Sequence, residues 1–176
     1  SISTVVKNAA IGGILAVLVL FTFLRNFRTT VIIGTAIPIS IIATFTLVYF
    51  SGITLNMMTL GGLALGVGML VDNVIVVLEN IYRFRQDGYS KKQAAIEGTK
   101  EVATSVTAST RTTIAVFAPM IFVGGMTSAL FKEFSMTVTM SLVASLLVSL
   151  TVIPMLSSKF LVLDDPSKPK KKIIFI

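Results

Sequence analysis

A single carboxylate, Asp72, lies inside a long run of small and apolar residues, and it is the strongest indication of chemistry in the sequence. The run extends from Gly61 to Leu78 and contains one other polar side chain, that of Asn73. A carboxylate near the middle of a membrane-spanning helix costs roughly 2.5–3.5 kcal/mol on insertion-based scales. Because a residue at that cost is rarely retained for packing, the pattern predicts a site that carries a proton or an ion.

The surroundings of Asp72 determine what it can do. Removal from water disfavours the charged form of a carboxyl group, and a nearby cation favours it. A carboxyl group that meets both environments in turn can take up and release a proton, which couples proton movement to a conformational cycle. The alternative is a fixed ion pair or hydrogen bond through which Asp72 only sets helix packing.

Three further polar residues lie near Asp72 in the predicted helices, and each has two interpretations. Asn73 adds a hydrogen-bond donor and acceptor, for a proton relay or for a helix–helix hydrogen bond. Glu79, two turns further on, either feeds a proton pathway or is a surface carboxylate near Arg83. Arg111 interrupts a later apolar run, where its long side chain either reaches the membrane interface or pairs with Asp72.

Glycines recur along the run at helical intervals. Gly61 and Gly68 share the face of Asp72, and Gly62 and Gly66 form a GxxxG pair on a neighbouring face. Small residues let membrane helices approach closely. The sequence therefore predicts four helix-packing glycines, and it predicts that Asp72 points into a helix bundle.

The composition favours a membrane protein and excludes several other classes. Hydrophobic residues make up 54% of the chain and charged residues 13%, which is outside the usual balance of a soluble domain. Cysteine and histidine are absent, so the sequence predicts no disulfide framework and no thiolate or imidazole metal site. No nucleophile–base arrangement is recognisable either, and we expect neither catalytic residues nor a cofactor.

The net charge of +7 does not predict nucleic-acid binding, because the charges lie in short segments between the apolar runs. Each run is near the roughly 20 residues that a helix needs to cross a hydrocarbon core. Helices are the spanning form that the pattern supports, since no barrel-like alternation is present. The predicted spans cover approximately residues 5–24, 30–50, 55–78, 105–123 and 134–156.

The fold class predicted from these spans is an all-α membrane protein with five transmembrane helices in a bundle over residues 1–161. The connection at 79–104 is predicted to form a short cytoplasmic helix, with Asp87-Gly88 as a turn and Ser90 as the N-cap. Residues 162–176 form a polar cytoplasmic tail, and the chain ends as though truncated.

The basic residues predict the orientation in the membrane. They concentrate after the first, third and fifth spans, and the other connections contain one lysine, Lys132. The positive-inside rule then places the C-terminus in the cytoplasm and the N-terminus outside.

The sequence resembles a known family along nearly its whole length up to about Leu161. The run from Met57 to Ile81 resembles the fourth transmembrane helix of the resistance-nodulation-division (RND) transporters, particularly the hydrophobe/amphiphile efflux branch. Residues 28–40, 117–125 and 134–156 are similar to helices three, five and six, in the expected order. The chain is thus identified as a fragment that covers helices two to six of the N-terminal half.

The resemblance implies a function and a set of partners. It implies a multidrug efflux pump of the inner membrane that exports amphiphilic compounds by proton antiport, with Asp72 matching the proton carrier. It also implies a homotrimer, a remaining half that supplies the basic relay partner, and, in a Gram-negative envelope, a periplasmic adaptor and an outer-membrane channel. The bilayer is the remaining partner. We expect the fragment alone not to transport.

Two residues depart from the family pattern. Many relatives have a second Asp where this chain has Asn73, which favours a one-carboxylate carrier here. Arg111 stands where a small or apolar residue is typical.

Two other classes of function stay open. Protein-export accessory and sterol-sensing relatives share the helical arrangement, although the continuation from Val74 to Asn80 favours the efflux branch. The second alternative is a non-transporting membrane scaffold with Asp72 fixed in a packing contact. The substrate is open, because the family's selectivity determinants lie in outer domains outside this chain.

Overall fold

The computed structural model describes residues 27–122 and 128–161, together with Leu18 and Thr22. The predicted span at 5–24 and the tail at 162–176 thus lie almost wholly outside the described residues. The described ranges contain four α-helices and a short 3-10 helix and no strand, which confirms an all-α fold for this part of the chain. The elements are α1 (Phe27–Phe50), α2 (Met57–Gln86), α3 (Lys91–Phe117), the 3-10 helix Ala118–Ile121 and α4 (Ser128–Phe160).

Three of the described helices are long and apolar enough to cross a membrane: Thr29–Phe50, Met57–Gln86 and Phe131–Phe160. They correspond to the predicted second, third and fifth spans. The predicted cytoplasmic helix and fourth span do not form separate elements, because α3 runs through both without a break. The charged first half of α3 lowers its hydropathy below that of the other three helices. The count of five spans and the cytoplasmic location of the first half of α3 stay predictions.

The connection between α2 and α3 follows the local sequence signals. Gly88 has a φ of +94°, a left-handed conformation that glycine adopts without strain, so the turn at Asp87-Gly88 is confirmed. Ser90 accepts a hydrogen bond from the Gln93 backbone, and the Gln93 side chain returns one to Ser90. This capping box confirms Ser90 as the N-cap of α3.

Helix α4 is the centre of the described bundle and contacts α1, α2 and α3. Its contact with α2 is the most extensive. The apolar part of the core between the helices includes Ile32 and Ile33 of α1, Leu70, Val74 and Val77 of α2, and Leu142 and Ile153 of α4. Small polar side chains are buried beside it, among them Ser141, Ser145 and Ser149 of α4.

Two glycines of α2 lie directly against α4. A Cβ atom added at Gly62 would lie 3.0 Å from the Phe134 carbonyl oxygen. One added at Gly66 would lie 1.9 Å from Ser141 Oγ and 2.4 Å from Ser141 Cβ. Side chains larger than hydrogen therefore do not fit at these positions, and the GxxxG pair sets the α2–α4 distance.

Candidate functional site

Asp72 lies near the middle of α2, on the side of the helix that faces away from the described core. Its side chain is exposed, as are the neighbouring Gly68 and Val76 on the same side. The opposite side of α2 is fully buried, with Leu70, Val74 and Val77 each at 0% exposure. We call the exposed side, from Gly61 through Gly68 and Asp72 to Glu79, the open face of α2.

Among the described helices Asp72 is exposed, and the expectation that it points into a helix bundle stays a prediction. The physical reason for the exposure lies on the neighbouring face. Gly62 and Gly66 allow α4 to approach closely there, and the larger aliphatic side chains next to them complete the core. No described helix then covers the open face.

Two of the four predicted packing glycines lie on this open face instead of in a tight helix contact. A Cβ added at Gly61 would meet only the Phe134 ring, at 3.8 Å. One added at Gly68 would meet no atom within 4 Å. Close approach therefore involves Gly62 and Gly66, and on the open face Gly68 is the small residue one helical turn from Asp72.

Asn73 joins α2 to α3. Its side chain is half-buried, and its Nδ2 donates a hydrogen bond to Thr110 Oγ1 at 3.3 Å. The buried Thr110 hydroxyl in turn donates to the Val106 carbonyl oxygen at 2.9 Å. This chain of bonds favours the helix–helix interpretation of Asn73.

Arg111 follows Thr110 directly and is exposed. Within the described ranges the only ion pair joins Arg83 and Glu101, with 2.6 Å between Arg83 Nη2 and Glu101 Oε2. The structure therefore shows no pairing of Asp72 with Arg111. It also shows that Arg83 pairs with Glu101 and not with Glu79, which is exposed at the end of the open face.

A polar cluster that the sequence analysis missed connects α2 and α3 near this ion pair. Asn80 is 9% exposed, and its Nδ2 donates to the Gly98 carbonyl oxygen at 2.6 Å and to Glu101 Oε2 at 3.2 Å. A Cβ added at Gly98 would lie 2.9 Å from the Ile81 Cα, so the two backbones nearly touch. A glycine inside a helix costs about 1 kcal/mol of helix stability relative to alanine. A glycine at this position of a predicted helix is therefore the feature of the sequence that could have indicated a close helix contact.

The Arg83–Glu101 ion pair predicts that the thermal stability of the fold depends on pH. Hydrogen bonds from Arg83 and then Asn80 lower the pKa of Glu101 from its usual value of 4.5. A lowered pKa in the folded state stabilises the fold above the unfolded-state pKa, and this stabilisation is lost as the pH falls through the folded-state pKa. We expect a small loss of thermal stability as the pH falls below the usual pKa of 4.5, and we expect Glu101→Gln to remove it; thermal denaturation in detergent measures both. Because the pair is exposed, the effect is small.

The matched control for that variant is Glu97→Gln, which removes an exposed carboxylate from the same helix outside the pair. If both variants flatten the pH profile equally, general charge reduction is responsible and the Arg83–Glu101 contact is not.

A second missed cluster holds the loop before α2. Glu133 of α4 accepts hydrogen bonds from the Asn56 side-chain amide and, at 3.4 Å, from the Thr54 hydroxyl. Asn56 is also the N-cap of α2 and accepts from the Met58 and Thr59 backbones. One carboxylate thus fixes the start of α2 against α4.

The described residues contain no group of three or more His, Cys, Asp or Glu side chains that could hold a metal ion. The chemistry that the described site offers is therefore that of single carboxylates, and Asp72 is the one in the middle of a candidate span.

The chain is similar to known proteins along nearly its whole length. The model of the AcrB/AcrD/AcrF family matches residues 1–175. The multidrug resistance protein MdtC of Escherichia coli O139:H28 is 40% identical over 171 residues, which is 97% of this chain and 17% of the relative. MdtC of Photorhabdus laumondii is 43% identical over 162 residues, 92% of this chain and 15% of that relative. The chain thus spans less than a fifth of the length of these curated relatives.

Proposed function

Because the chain belongs to the AcrB/AcrD/AcrF family of RND multidrug efflux transporters, we propose that it forms part of the membrane domain of a proton-driven exporter. Asp72 is the intramembrane proton carrier in this proposal. The exported compounds in this proposal are amphiphilic, as the resemblance to the hydrophobe/amphiphile efflux branch implies, and the relatives are named for multidrug resistance.

The observation that carries the proposal is the exposed carboxylate in the middle of an apolar span. Ionisable residues within a membrane face a bundle interior or a water-filled cavity, because contact with lipid is too costly. The open face of α2 must therefore be covered by protein or by water. We propose that the remaining half of the transporter covers it and supplies a cationic partner for Asp72.

A conformational change in the protein that covers the open face would make Asp72 bind and release a proton in turn. When the cation is close to Asp72, the carboxylate is ionised. When the cation moves away and the surroundings of Asp72 become apolar, the carboxyl group takes up a proton. Since the described helices leave Asp72 without an ion-pair partner, they do not hold it in either state. This freedom favours a carrier over a fixed packing contact.

The neighbouring polar residues have secondary roles in the proposal. Asn73 orients α2 against α3 through its hydrogen bond to Thr110. Because Asn73 has no carboxyl group, Asp72 is the single carboxylate of the carrier. Glu79 lies on the open face at the end where the positive-inside rule places the cytoplasm, and a proton pathway that follows this face passes it.

The assembly and location complete the proposal. We place the protein in the cytoplasmic membrane, with the C-terminus of the segment in the cytoplasm, as part of a homotrimer. In a Gram-negative envelope a periplasmic adaptor and an outer-membrane channel are the expected partners.

The test is transport by the full-length protein in sealed vesicles with an imposed pH gradient. We expect a lipophilic cationic dye to be exported only while the gradient lasts, and we expect dye addition to accelerate proton movement in the opposite direction. Dye export that survives collapse of the gradient by a protonophore would contradict proton antiport. Vesicles that contain residues 1–176 alone are the control, and they are expected to show no transport.

A further inference from the structure

A groove of about 420 Å³ lies between the first half of α3 and the last third of α4, away from Asp72. Its walls combine exposed apolar side chains with two lysines. Neither the proton carrier nor the contacts between α2 and α3 use this groove.

The apolar wall of the groove consists of side chains that the described bundle leaves uncovered. Ile96 of α3 is 52% exposed and Met155 of α4 is 50% exposed, and Leu150 lies beside them. This wall suits a hydrocarbon chain.

The cationic edge of the groove is formed by Lys92 and Lys100, both exposed. They lie one helical turn before and one after Ile96 on the same face of α3, about 12 Å apart along the axis at ~1.5 Å per residue. Long lysine side chains at this spacing can converge on one anion between them. None of the described residues that line the groove is acidic.

Thr99 supplies an independent indication of a ligand. It lines the groove, is 8% exposed, and its Oγ1 has no hydrogen-bond partner among the described residues. Other threonines of α3, such as Thr110 and Thr112, donate to the carbonyl oxygen four residues earlier. A buried hydroxyl without a partner is costly, and a rotation of the Thr99 side chain toward the groove would let a polar ligand atom remove that cost.

We propose that this groove binds one anionic phospholipid of the cytoplasmic leaflet. The phosphate lies between Lys92 and Lys100, the ester region accepts a hydrogen bond from the Thr99 hydroxyl, and one acyl chain follows Ile96, Leu150 and Met155. Basic pockets between membrane helices on the cytoplasmic side are suited to such headgroups. The proposal uses the membrane orientation given above and is independent of proton transfer by Asp72.

The test uses the full-length protein, purified and delipidated, with phosphatidylglycerol and phosphatidylcholine as probes. Binding is measured by native mass spectrometry and by the lipid-induced shift in melting temperature. Lys92→Gln/Lys100→Gln is expected to bind phosphatidylglycerol about 30-fold more weakly, at roughly fivefold per lysine. Lys91→Gln/Lys132→Gln removes the same charge outside the groove and is expected to bind as the unmodified protein does.

Three results would overturn the proposal. One is an equal loss of phosphatidylglycerol binding in both double variants, which would show a general charge effect. Another is equal affinity of the unmodified protein for the two lipids. The third is displacement of phosphatidylglycerol by free glycerol phosphate at comparable concentration, which would show a site for a small anion without acyl chains.

The variant Thr99→Val separates a ligand contact from a packing role. If Thr99 donates to the lipid, the variant weakens phosphatidylglycerol binding while the melting temperature of the lipid-free protein stays equal or rises. Unchanged lipid binding in this variant would overturn the placement of the ester region. Because these measurements need no transport, their failure and a failure of proton antiport are distinguishable.

Discussion

Replacing Asp72 by Asn in the full-length protein abolishes proton-coupled export while the protein still folds: this is the largest effect that we expect of any single substitution. The amide has nearly the same shape as the carboxyl group but cannot carry a proton. Asp72 is exposed on the open face of α2 and has no ion-pair partner within the described ranges, so its replacement breaks no contact there. We expect dye export to fall to the background of empty vesicles.

The control for this variant is Glu97→Gln, which neutralises an exposed carboxylate on α3, away from the open face of α2. It is expected to retain most of the transport. Melting temperature and membrane yield are measured for both variants. If Asp72→Asn loses yield and thermal stability together with transport, Asp72 is a packing residue, and if it transports normally, another group carries the proton.

The second large effect is expected at Gly66. A methyl group there would lie 2.4 Å from Ser141 Cβ, a distance that no rotation of the serine hydroxyl relieves. Because α2 and α4 must move apart, we expect Gly66→Ala to cost about 1–3 kcal/mol, the usual range for inserting a methylene into a packed core. Thermal denaturation in detergent measures this loss.

Gly68→Ala is the matched control, because a Cβ at Gly68 meets no atom within 4 Å. Alanine there is expected to be neutral or to stabilise the helix by up to about 1 kcal/mol. The double variant Gly66→Ala/Ser141→Gly removes the opposing Cβ and should recover part of the stability. Equal melting temperatures for the two single alanine variants would contradict the close contact of α2 with α4.

The sequence predicted the features that depend on neighbouring residues. The turn at Asp87-Gly88 and the capping box at Ser90 need only the chemistry of a few adjacent side chains, and both are present. The GxxxG pair is also a short-range pattern, and Gly62 and Gly66 do lie against another helix.

Features that depend on distant parts of the chain were not predictable in the same way. Which face of α2 is buried depends on the side chains that α4 presents to it. The exposure of Asp72 in the described bundle therefore did not follow from the sequence of α2 alone. The Asn80–Glu101 and Asn56–Glu133 contacts join residues far apart in the sequence. The continuity of α3 was missed because its hydropathy changes within one uninterrupted helix.

Two of the hydrogen bonds between α2 and α3 lie about two helical turns apart and restrict how these helices can move. Asn80 contacts Gly98, and seven residues back along α2, Asn73 contacts Thr110 further along α3. Sliding one helix past the other by a single residue, about 1.5 Å, would break both bonds, and the close approach at Gly98 blocks rotation. We therefore expect the pair to move as one rigid body, and in the proposed proton cycle any displacement must be taken up at its outer boundaries.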